Sequence, residues 1–201
     1  MSRLETLKLQ KQTTGRKPVL LLDQDGILAD TNSYLLTIVN KYYKRNYTNA
    51  DHDRLFGDHT CLTEELTRPM IAKIFNQRGF FRDLPPIKDA IESVNKLAEH
   101  YDIYVVTTPW VHNIYCYSEK AAWIKEYLPF LEKKVVQTVC KEVVHGHVLV
   151  DDKMSNLQKW RERWPSGVGA SLKYHWTDPN LADIIQPDWA GLSDTLIKAI
   201  T

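Results

Sequence analysis

The chain has 201 residues, 43% of them hydrophobic, so it can bury one sizeable core but is too short for several large domains. Its 26 Lys and Arg residues nearly balance its 25 Asp and Glu residues, which gives a formal net charge of +1. This balance argues against proteins that bind long nucleic acid or an anionic membrane through a global electrostatic field. We therefore expect any anion-binding site to be local.

The cysteines and the hydropathy pattern bear on the cellular compartment. Cys61, Cys116 and Cys140 are odd in number and have no metal-ligand spacing, which favours free thiols in a reducing compartment. No apolar run approaches the ~20 residues that span a bilayer, and the N-terminus lacks the apolar segment of a secretory signal. We therefore expect a soluble, cytoplasmic protein.

Residues 1–17 are polar, with five basic side chains against the single acid Glu5. Such a bias occurs in organelle transit peptides, but the run of Ser and spaced Arg that is typical of those peptides is missing. We therefore favour a short flexible arm before the first strand.

Continuous apolar runs predict strands that are buried on both faces of a parallel sheet. The candidates are residues 18–22, 103–106 and 148–150, with weaker patterns at residues 134–139 and 169–174. Asp23, Thr107 and Asp151 directly follow the three strong runs. Because ligands bind beyond the carboxyl ends of parallel strands, we expect these side chains to converge on one site.

Helical patterns separate the predicted strands. Residues 87–98 and residues 121–128 each place apolar side chains on one helical face. The alternation of strands and helices predicts an α/β fold, with a Rossmann-like parallel sheet flanked by helices.

Residues 31–83 interrupt this alternation. Helix-like segments at residues 34–43 and 64–75 are separated there by a polar stretch. An insertion directly after the first strand would cover the site and exclude water. We therefore predict a core of residues 18–30 and 84–201 and a small helical cap of residues 31–83.

Asp23 and Asp25 lie two residues apart at the end of the first predicted strand, and Gly26 then permits a tight turn. Both carboxylates can face one space at such a strand end. One interpretation is phosphoryl transfer, in which Asp23 attacks phosphorus and Asp25 moves the protons. The alternative is an ordinary acidic turn, where Asp-Gly pairs are frequent.

Thr107 and Thr108 follow the second strong strand, where a hydroxyl can hold a phosphate oxygen or serve in an ordinary turn. Lys120, at the start of a predicted helix, and Lys141, after the strand at 134–139, could offset charge at a reacting phosphoryl group. Because the chain has 26 basic residues, physical reasoning from the sequence selects neither lysine.

Asp151 and Asp152 end the strand at 148–150 and offer the hard oxygen ligands that Mg²⁺ prefers. With Asp23 they form a candidate Mg²⁺ site, which would screen the repulsion between a carboxylate nucleophile and a phosphate. The alternative is an acidic helix N-terminus, where Asp152 interacts with the helix dipole without a metal.

Together, the polar residues after the strands resemble, in chain order, the four motifs of the haloacid dehalogenase (HAD) superfamily: Asp23-x-Asp25-Gly26, Thr107, a downstream lysine, and Asp151-Asp152. The segments LADT, FFRDLPPIKDA, VTTPW, YCYSEKAAWIKEYL and VLVDD further resemble the 5′(3′)-deoxyribonucleotidases, and this similarity covers most of residues 18–152. The resemblance implies a HAD-like fold, a small helical cap, and Mg²⁺-dependent removal of phosphate from deoxyribonucleoside monophosphates.

The resemblance also implies roles for the acids. Asp23 would be the nucleophile, and Asp25 would be the acid/base with its backbone carbonyl on the metal. Asp152 would be the other protein ligand of the metal. Asp151 would lie beside the metal site as an adjacent support or a further member of the metal-binding set.

The resemblance implies a phosphate-binding set of Thr107, Thr108, Lys120 and Lys141. Base recognition would fall to aromatic residues of the cap, because a flat apolar slot can stack a pyrimidine at about 1–3 kcal/mol. Phe75 is the best candidate and Phe56 a second. Phe75 also lies on an apolar helical stripe, so packing inside the cap is the alternative.

Two positions depart from the family pattern. Gln24 replaces the apolar residue that is usual between the two acids, and Thr31 stands where better-known members carry an aromatic residue. The C-terminal part matches the family weakly. Its tryptophans are interpreted as packing residues: Trp160, Trp164, Trp176 and Trp189.

The leading hypothesis is a nucleotidase that acts on pyrimidine deoxynucleotides. Alternatives are a HAD phosphatase acting on a polynucleotide 3′-phosphate or another phosphometabolite, and a noncatalytic nucleotide-binding protein. The expected partner is a small-molecule nucleotide, with no membrane and no long nucleic acid. A homodimer is kept as an alternative to a monomer, and the base, the sugar and the phosphate position stay open.

Overall fold

The computed structural model describes residues 1–48, 51 and 68–201. The helices in these ranges are α1 (Arg3–Thr14), α2 (Thr31–Tyr43), α3 (Arg68–Phe75), α4 (Ala90–Leu97), α5 (Cys116–Tyr127), α6 (Met154–Arg163) and α7 (Trp189–Lys198). The strands are β1 (Val19–Leu22), β2 (Asp102–Thr107), β3 (Val135–Gln137), β4 (Val148–Val150), β5 (Val168–Leu172) and β6 (Ile184–Gln186). Short 3₁₀ turns at Pro129–Leu131 and Lys141–Val143 precede β3 and β4.

The strands form one parallel sheet in the order β3-β2-β1-β4-β5-β6. β1 pairs with β2 on one side and with β4 on the other, so the direction of winding reverses beside β1. Such a reversal opens a crevice at the carboxyl ends of the strands. The predicted α/β fold with a parallel sheet is confirmed.

The strands are apolar because both faces of the sheet are covered. Leu20 and Leu22 of β1 belong to the larger of two hydrophobic clusters, whereas Leu21 belongs to the other. Successive side chains point to opposite faces, so a strand buried on both faces is a continuous apolar run. The five predicted strands are confirmed. β6 was not predicted, although its two apolar residues and one Gln match the composition of β3.

The N-terminal residues form helix α1 instead of the predicted flexible arm. Ser2 and Glu5 form a capping box, in which each side chain accepts a hydrogen bond from the other residue's backbone N–H. Leu7 is 1% exposed and packs in the larger hydrophobic cluster. The cap and the buried leucine fix this segment, although its composition is polar.

The described part of residues 31–83 contains α2 and α3. Leu35 and Val39 of α2 and Ile74 of α3 are buried in the larger hydrophobic cluster, which also contains Leu20 and Leu22 of β1. Phe56, Cys61 and residues 64–67 lie outside the described residues. The predicted helix at 34–43 is confirmed, and the division into core and cap stays a prediction.

Cys116 is a buried free thiol, and burial raises its pKa to about 11. Cys140 is an exposed free thiol, so the prediction of unpaired cysteines is confirmed for these two residues. None of the helices in the described ranges has both the length and the apolar character needed to cross a membrane.

Candidate active site

The carboxyl ends of β1 and β4 bring three aspartates together. The N–H of Asp23 donates to the carbonyl of Val150 at 2.9 Å, so the chain leaves β1 beside the end of β4. Carboxylate oxygens of Asp23, Asp151 and Asp152 lie within 4.8 Å of one another, and all three residues are buried. Mutual repulsion in such a cluster requires neighbouring positive charge or protons.

Lys141 supplies positive charge to this cluster. Its Nζ lies 2.7 Å from Asp23 Oδ1 and 2.6 Å from Asp151 Oδ2, and the side chain is 2% exposed. Burial by itself lowers the pKa of Lys141, but the charges of Asp151 and Asp23 outweigh burial and raise that pKa. Lys141 therefore stays protonated and joins the end of β1 to the end of β4.

Asp151 is surrounded by hydrogen-bond donors. Its Oδ2 accepts from Lys141, its Oδ1 accepts from the Lys153 N–H at 2.9 Å, and Asn156 Nδ2 lies 3.1 and 3.0 Å from the two oxygens. Burial raises the pKa of Asp151, and the Lys141 ammonium opposes that shift. Asp151 therefore accepts a backbone N–H just before α6 begins. Its contacts fit a supporting position beneath Asp23.

Lys120 supplies a second buried charge at a different place. Its Nζ donates to Asp25 Oδ2 at 2.5 Å and to Thr107 Oγ1 at 2.7 Å. Lys120 is fully buried, whereas the Asp25 side chain is 28% exposed. The sequence did not show which acid each lysine contacts. In the structure Lys141 lies beside Asp23 and Lys120 lies beside Asp25.

Gly26 allows the loop after β1, the β1 loop (residues 23–30), to contact Asp152. Its φ is 73°, in the left-handed region that favours glycine. A Cβ at this position would lie 2.5 Å from Asp152 Oδ2. The β1 loop therefore lies directly against the loop after β4, the β4 loop (residues 151–153).

A cleft of about 950 Å³ opens above these charges. Its floor includes Asp23, Asp25 and Asp152. Its apolar wall comes largely from the 31–83 segment and includes Leu35, Pro69, Ile71, Ala72, Phe75 and Phe81. Thr108 and His112, from the loop after β2, line another side. Charged groups therefore form the floor and apolar groups much of the described wall.

Thr108 and Phe75, two of the predicted binding residues, both line the cleft. Thr108 is exposed, and its Oγ1 donates to the carbonyl of Thr138 at 3.1 Å. The Phe75 ring packs edge-to-face on Trp110, with ring centroids 5.3 Å apart, and against Phe80 at 4.9 Å. Phe75 packs within an aromatic cluster and also lines the cleft, so base recognition by Phe75 stays a prediction.

Gln24, the departure between the two acids, is fully buried. Its carbonyl accepts the N–H groups of Leu28 and Ala29, each at 2.8 Å, which closes the β1 loop. Its side-chain Nε2 lies 3.4 Å from the carbonyl of Lys120 on α5. Gln24 is not among the described residues that line the cleft, so it contacts α5 beneath the site.

The donor set fits a hard divalent cation. Both described hydrogen bonds of the Asp23 carboxylate use Oδ1, from Lys141 and from the Gln24 N–H at 2.7 Å. Oδ2 of Asp23 has no hydrogen bond in the part of the chain that the structure describes, and a carboxylate oxygen of Asp152 lies within 4.8 Å of the Asp23 carboxylate. Mg²⁺ prefers few carboxylates together with water and substrate oxygens, so Asp23 and Asp152 could hold it.

Side-chain contacts of Asn156, Tyr174, Trp176 and Trp189 with the β1 and β4 loops were not predicted. Asn156 binds Asp151 from the first turn of α6, and its position five residues after Asp151 on a predicted helix could have indicated this contact. Tyr174 Oη donates to the carbonyl of Gly26 at 2.6 Å, and Trp176 Nε1 donates to the carbonyl of Asp152 at 2.9 Å.

The tryptophans of the C-terminal part differ in what they contact. Trp160 and Trp189 are fully buried, which fits their interpretation as packing residues, and Trp189 Nε1 also donates to the carbonyl of Ile27 in the β1 loop at 2.7 Å. Trp176 is only partly buried and in addition reaches the β4 loop. No local pattern in the sequence indicates that contact, because the two partners are separated in sequence and meet only in the fold.

A family model described as 5′ nucleotidase, deoxy (pyrimidine), cytosolic type C protein matches residues 17–199. The chain belongs to this family. It is therefore a phosphoric monoester hydrolase of the 5′-nucleotidase type, and the predicted membership of the HAD superfamily is confirmed.

Curated relatives in this family cover most of the chain. The human cytosolic 5′(3′)-deoxyribonucleotidase is 30% identical over 149 residues, which are 69% of this chain and 72% of the relative. A putative 5′(3′)-deoxyribonucleotidase of Bordetella bronchiseptica is 32% identical over 149 residues, which are 73% of this chain and 80% of the relative. The resemblance recognised in the motifs therefore extends over most of both relatives.

Solved structures with low sequence identity share the fold. A HAD family hydrolase of Deinococcus radiodurans with bound phosphate and sodium has a TM-score of 0.62 at 11% identity, covering 91% of this chain and 96% of that chain. A putative haloacid dehalogenase-like hydrolase of Burkholderia xenovorans has a TM-score of 0.59 at 16% identity, covering 92% and 98%. These similarities establish a HAD-like architecture for the family member described here.

Proposed function

We propose that the chain is a Mg²⁺-dependent nucleotidase that hydrolyses deoxyribonucleoside monophosphates through an aspartyl-phosphate intermediate. The observation that carries the proposal is the pairing at the strand ends. Lys141 contacts Asp23. Lys120 contacts both Asp25 and Thr107. A carboxylate nucleophile, a neighbouring acid/base and fixed positive charge are what phosphoryl transfer requires.

In the first step, a carboxylate oxygen of Asp23 bonds to phosphorus while the bond between phosphorus and the nucleoside oxygen breaks. Protonated Asp25 donates its proton to that leaving oxygen. Lys141 and Lys120, beside the two acids, offset the negative charge that gathers at the phosphoryl group. The products of this step are a free nucleoside and a phosphorylated Asp23.

In the second step, water attacks the phosphorus and its proton passes to the Asp25 carboxylate. The bond from phosphorus to the Asp23 oxygen breaks, which releases inorganic phosphate. Both acids then return to their starting protonation states. Thr107 holds Lys120 at 2.7 Å throughout, which keeps that ammonium aimed at Asp25.

Asp23 and Asp152 would hold Mg²⁺ together with the backbone carbonyl of Asp25. When bound, the cation supplies positive charge that screens the repulsion between Asp23 and an anionic substrate. Asp151 supports this arrangement indirectly, because it accepts from Lys141 and from Asn156 and so fixes the floor of the cleft.

The nucleoside would occupy the apolar side of the cleft. Phe75, Leu35 and Ile71 line that side, and stacking of a base on an aromatic ring contributes about 1–3 kcal/mol. The relatives named as 5′(3′)-deoxyribonucleotidases and the pyrimidine in the family description support a pyrimidine deoxynucleotide as substrate. Residues 31–83 would act as a cap that excludes water during the reaction.

The proposal includes a small-molecule partner and a cytoplasmic location. The net charge of +1 disfavours long nucleic acid, which requires a basic groove. The human relative is named a cytosolic type, which supports the location. A monomer and a homodimer both agree with the proposal.

A phosphate-release assay tests the proposed activity. We expect release of phosphate from dUMP and dTMP that requires Mg²⁺ and is lost in Asp23→Asn. Asp194→Asn, at an exposed acid paired with Lys96, is the matched control and should keep full activity. Mass spectrometry of the acid-quenched enzyme should detect one phosphoryl group on the wild-type chain and none on Asp23→Asn.

Alternative substrates separate the competing functions. Turnover of sugar phosphates alone, or of a DNA 3′-phosphate in preference to dUMP, would move the activity elsewhere in the superfamily. Nucleotide binding without any phosphate release in Mg²⁺, by a chain confirmed to be folded, would contradict catalysis itself.

A further inference from the structure

Two aromatic residues lie just beyond β5, outside the set of acids and lysines described above. The rings of Tyr174 and Trp176 are stacked, with centroids 4.5 Å apart and planes 1° from parallel. They follow the strand that neighbours β4 in the sheet, so they approach the catalytic loops from the side. We refer to these two residues as the aromatic pair.

Each member of the aromatic pair donates to the backbone of a different catalytic loop. Tyr174 Oη donates to the carbonyl of Gly26 in the β1 loop at 2.6 Å. Trp176 Nε1 donates to the carbonyl of Asp152 in the β4 loop at 2.9 Å. Because the rings stack on each other, the pair connects the two loops through one rigid unit.

The spacing between these loops has little tolerance. A single methyl group on Gly26 would already lie 2.5 Å from Asp152 Oδ2. Asp25 immediately precedes Gly26, so a movement of the Gly26 carbonyl moves the backbone that carries Asp25. The aromatic pair therefore acts where the β1 and β4 loops are in direct contact.

The aromatic pair is itself held in place. The Tyr174 N–H donates to Thr177 Oγ1 at 2.9 Å, and the Lys173 N–H donates to the carbonyl of Gln186 at 2.7 Å. Burial raises the pKa of Tyr174, and the charges of Asp152 and Asp30 raise it further. The phenol therefore remains protonated and available as a donor.

We propose that Tyr174 and Trp176 are positioning residues that set the distance between the β1 and β4 loops and thereby the affinity of the site for Mg²⁺. Neither residue is among those described as lining the cleft, so neither is expected to touch the substrate. The inference rests on the proposed function, in which Asp23 and Asp152 hold the metal. It adds that contacts behind the metal ligands, from the segment that follows β5, tune metal binding.

The test measures metal affinity separately from turnover. The variants are Tyr174→Phe and Trp176→Phe, which each remove one donor and keep an aromatic ring. The rise in Tm with increasing Mg²⁺ concentration gives a dissociation constant without substrate. We expect each variant to bind Mg²⁺ about tenfold more weakly, as is typical when a partner of a metal ligand is removed. We also expect kcat to recover at saturating Mg²⁺.

Tyr101→Phe is the matched control. The Tyr101 hydroxyl is also buried and donates to a backbone carbonyl, that of Leu196, at 2.7 Å. It lies before β2, at the opposite end of the sheet from both catalytic loops. We expect this variant to lower Tm in the absence of metal and to leave the Mg²⁺ dissociation constant unchanged.

The outcomes separate the two proposals. Unchanged Mg²⁺ affinity in both variants, in an enzyme that binds Mg²⁺ and hydrolyses dUMP, would overturn the positioning role and leave the proposed function intact. A similar loss of affinity in Tyr101→Phe would also overturn it, because a general loss of stability would then explain the effect. A wild-type chain that does not bind Mg²⁺ would overturn both proposals.

Discussion

The two ends of the parallel sheet carry polar groups of different kinds. At the carboxyl end, the ion pair between Lys141 and Asp151 is buried, with side chains 2% and 0% exposed. At the amino end, the pair between Lys134 and Asp102 is equally short, at 2.6 Å, but both side chains are 39% exposed. The hydroxyl of Tyr101, which is buried at that end, is a neutral group.

The difference in burial between the two ion pairs indicates which end of the sheet carries the functional site. A buried ion pair loses hydration that its own attraction only partly restores, so it contributes little to stability relative to apolar residues. A concentration of such pairs at one end of the sheet therefore indicates a site in which fixed charge is needed for chemistry. At the amino end, where no such chemistry is proposed, the ion pair between Lys134 and Asp102 is exposed.

Replacement of Lys141 by methionine should give the largest effect. The change leaves Asp23 and Asp151 buried without their shared ammonium. We expect the free energy of unfolding at neutral pH to fall by about 3–5 kcal/mol, measured by urea denaturation. Lys134→Met, which breaks the exposed pair with Asp102, should change it by less than about 1 kcal/mol. Equal losses in the two variants would remove the contrast between the ends of the sheet.

A methyl group on glycine should act differently at the two ends. Gly26 and Gly15 both have positive φ, 73° and 65°, but only Gly26 faces a close atom, Asp152 Oδ2. Gly26→Ala should displace the β4 loop and lower kcat/KM for dUMP about a hundredfold, because small misplacements of reacting groups cost that much. Gly15→Ala should cost about 1 kcal/mol of stability from backbone strain and leave activity unchanged. Similar activity in both variants would show that the Gly26 contact is not required.

The apolar wall above the carboxyl end should affect binding more than chemistry. Phe75→Leu removes the flat ring from the cleft and keeps an apolar side chain. We expect KM for dUMP to rise about tenfold, with kcat little changed, since stacking contributes about 1–3 kcal/mol per base. Deoxyribose 5-phosphate, which has no base, is the control substrate, and its KM should not change. An equal rise for both substrates would assign Phe75 to packing alone.

The smallest effect is expected at the amino end, where His147 accepts a hydrogen bond from the Val19 N–H at Nδ1, 2.8 Å away. Burial, and then the charge of His145, lowers the pKa of His147 below its ordinary value of 6.5. The unfolded chain then binds the proton more readily than the folded chain. The stability is therefore greatest above pH 6.5 and decreases as the pH falls from there through the lower pKa of His147 in the folded chain. Because the ring is partly exposed, the loss should stay below about 1 kcal/mol.

NMR titration of the His147 ring measures this pKa directly. His145→Gln removes one of the two causes, so it should move the pKa of His147 upward toward 6.5. A wild-type pKa above 6.5 would contradict the sign of the expected pH dependence.

Much of the fold was predictable because the burial of a strand shows in its own short stretch of sequence. The run at residues 18–22 and the run at 148–150 are apolar on both faces, and each ends at the acid that begins a catalytic loop. Helix α1 was not predicted, because its single buried residue, Leu7, gives almost no periodic pattern. Its capping box, from Ser2 to Glu5, was the available indication.

The sequence by itself determined which residue types end the central strands, and therefore that acids and a threonine meet at the carboxyl edge of a parallel sheet. Only the tertiary structure decided the pairing among them, because the partners are distant in sequence: Lys120 lies 95 residues from Asp25, and Tyr174 lies 148 residues from Gly26. Local periodicity fixes which faces are buried, but side-chain contacts between strands depend on the order of strands in the sheet. That order placed Lys141 beside Asp23, Lys120 beside Asp25, and the aromatic pair behind both loops.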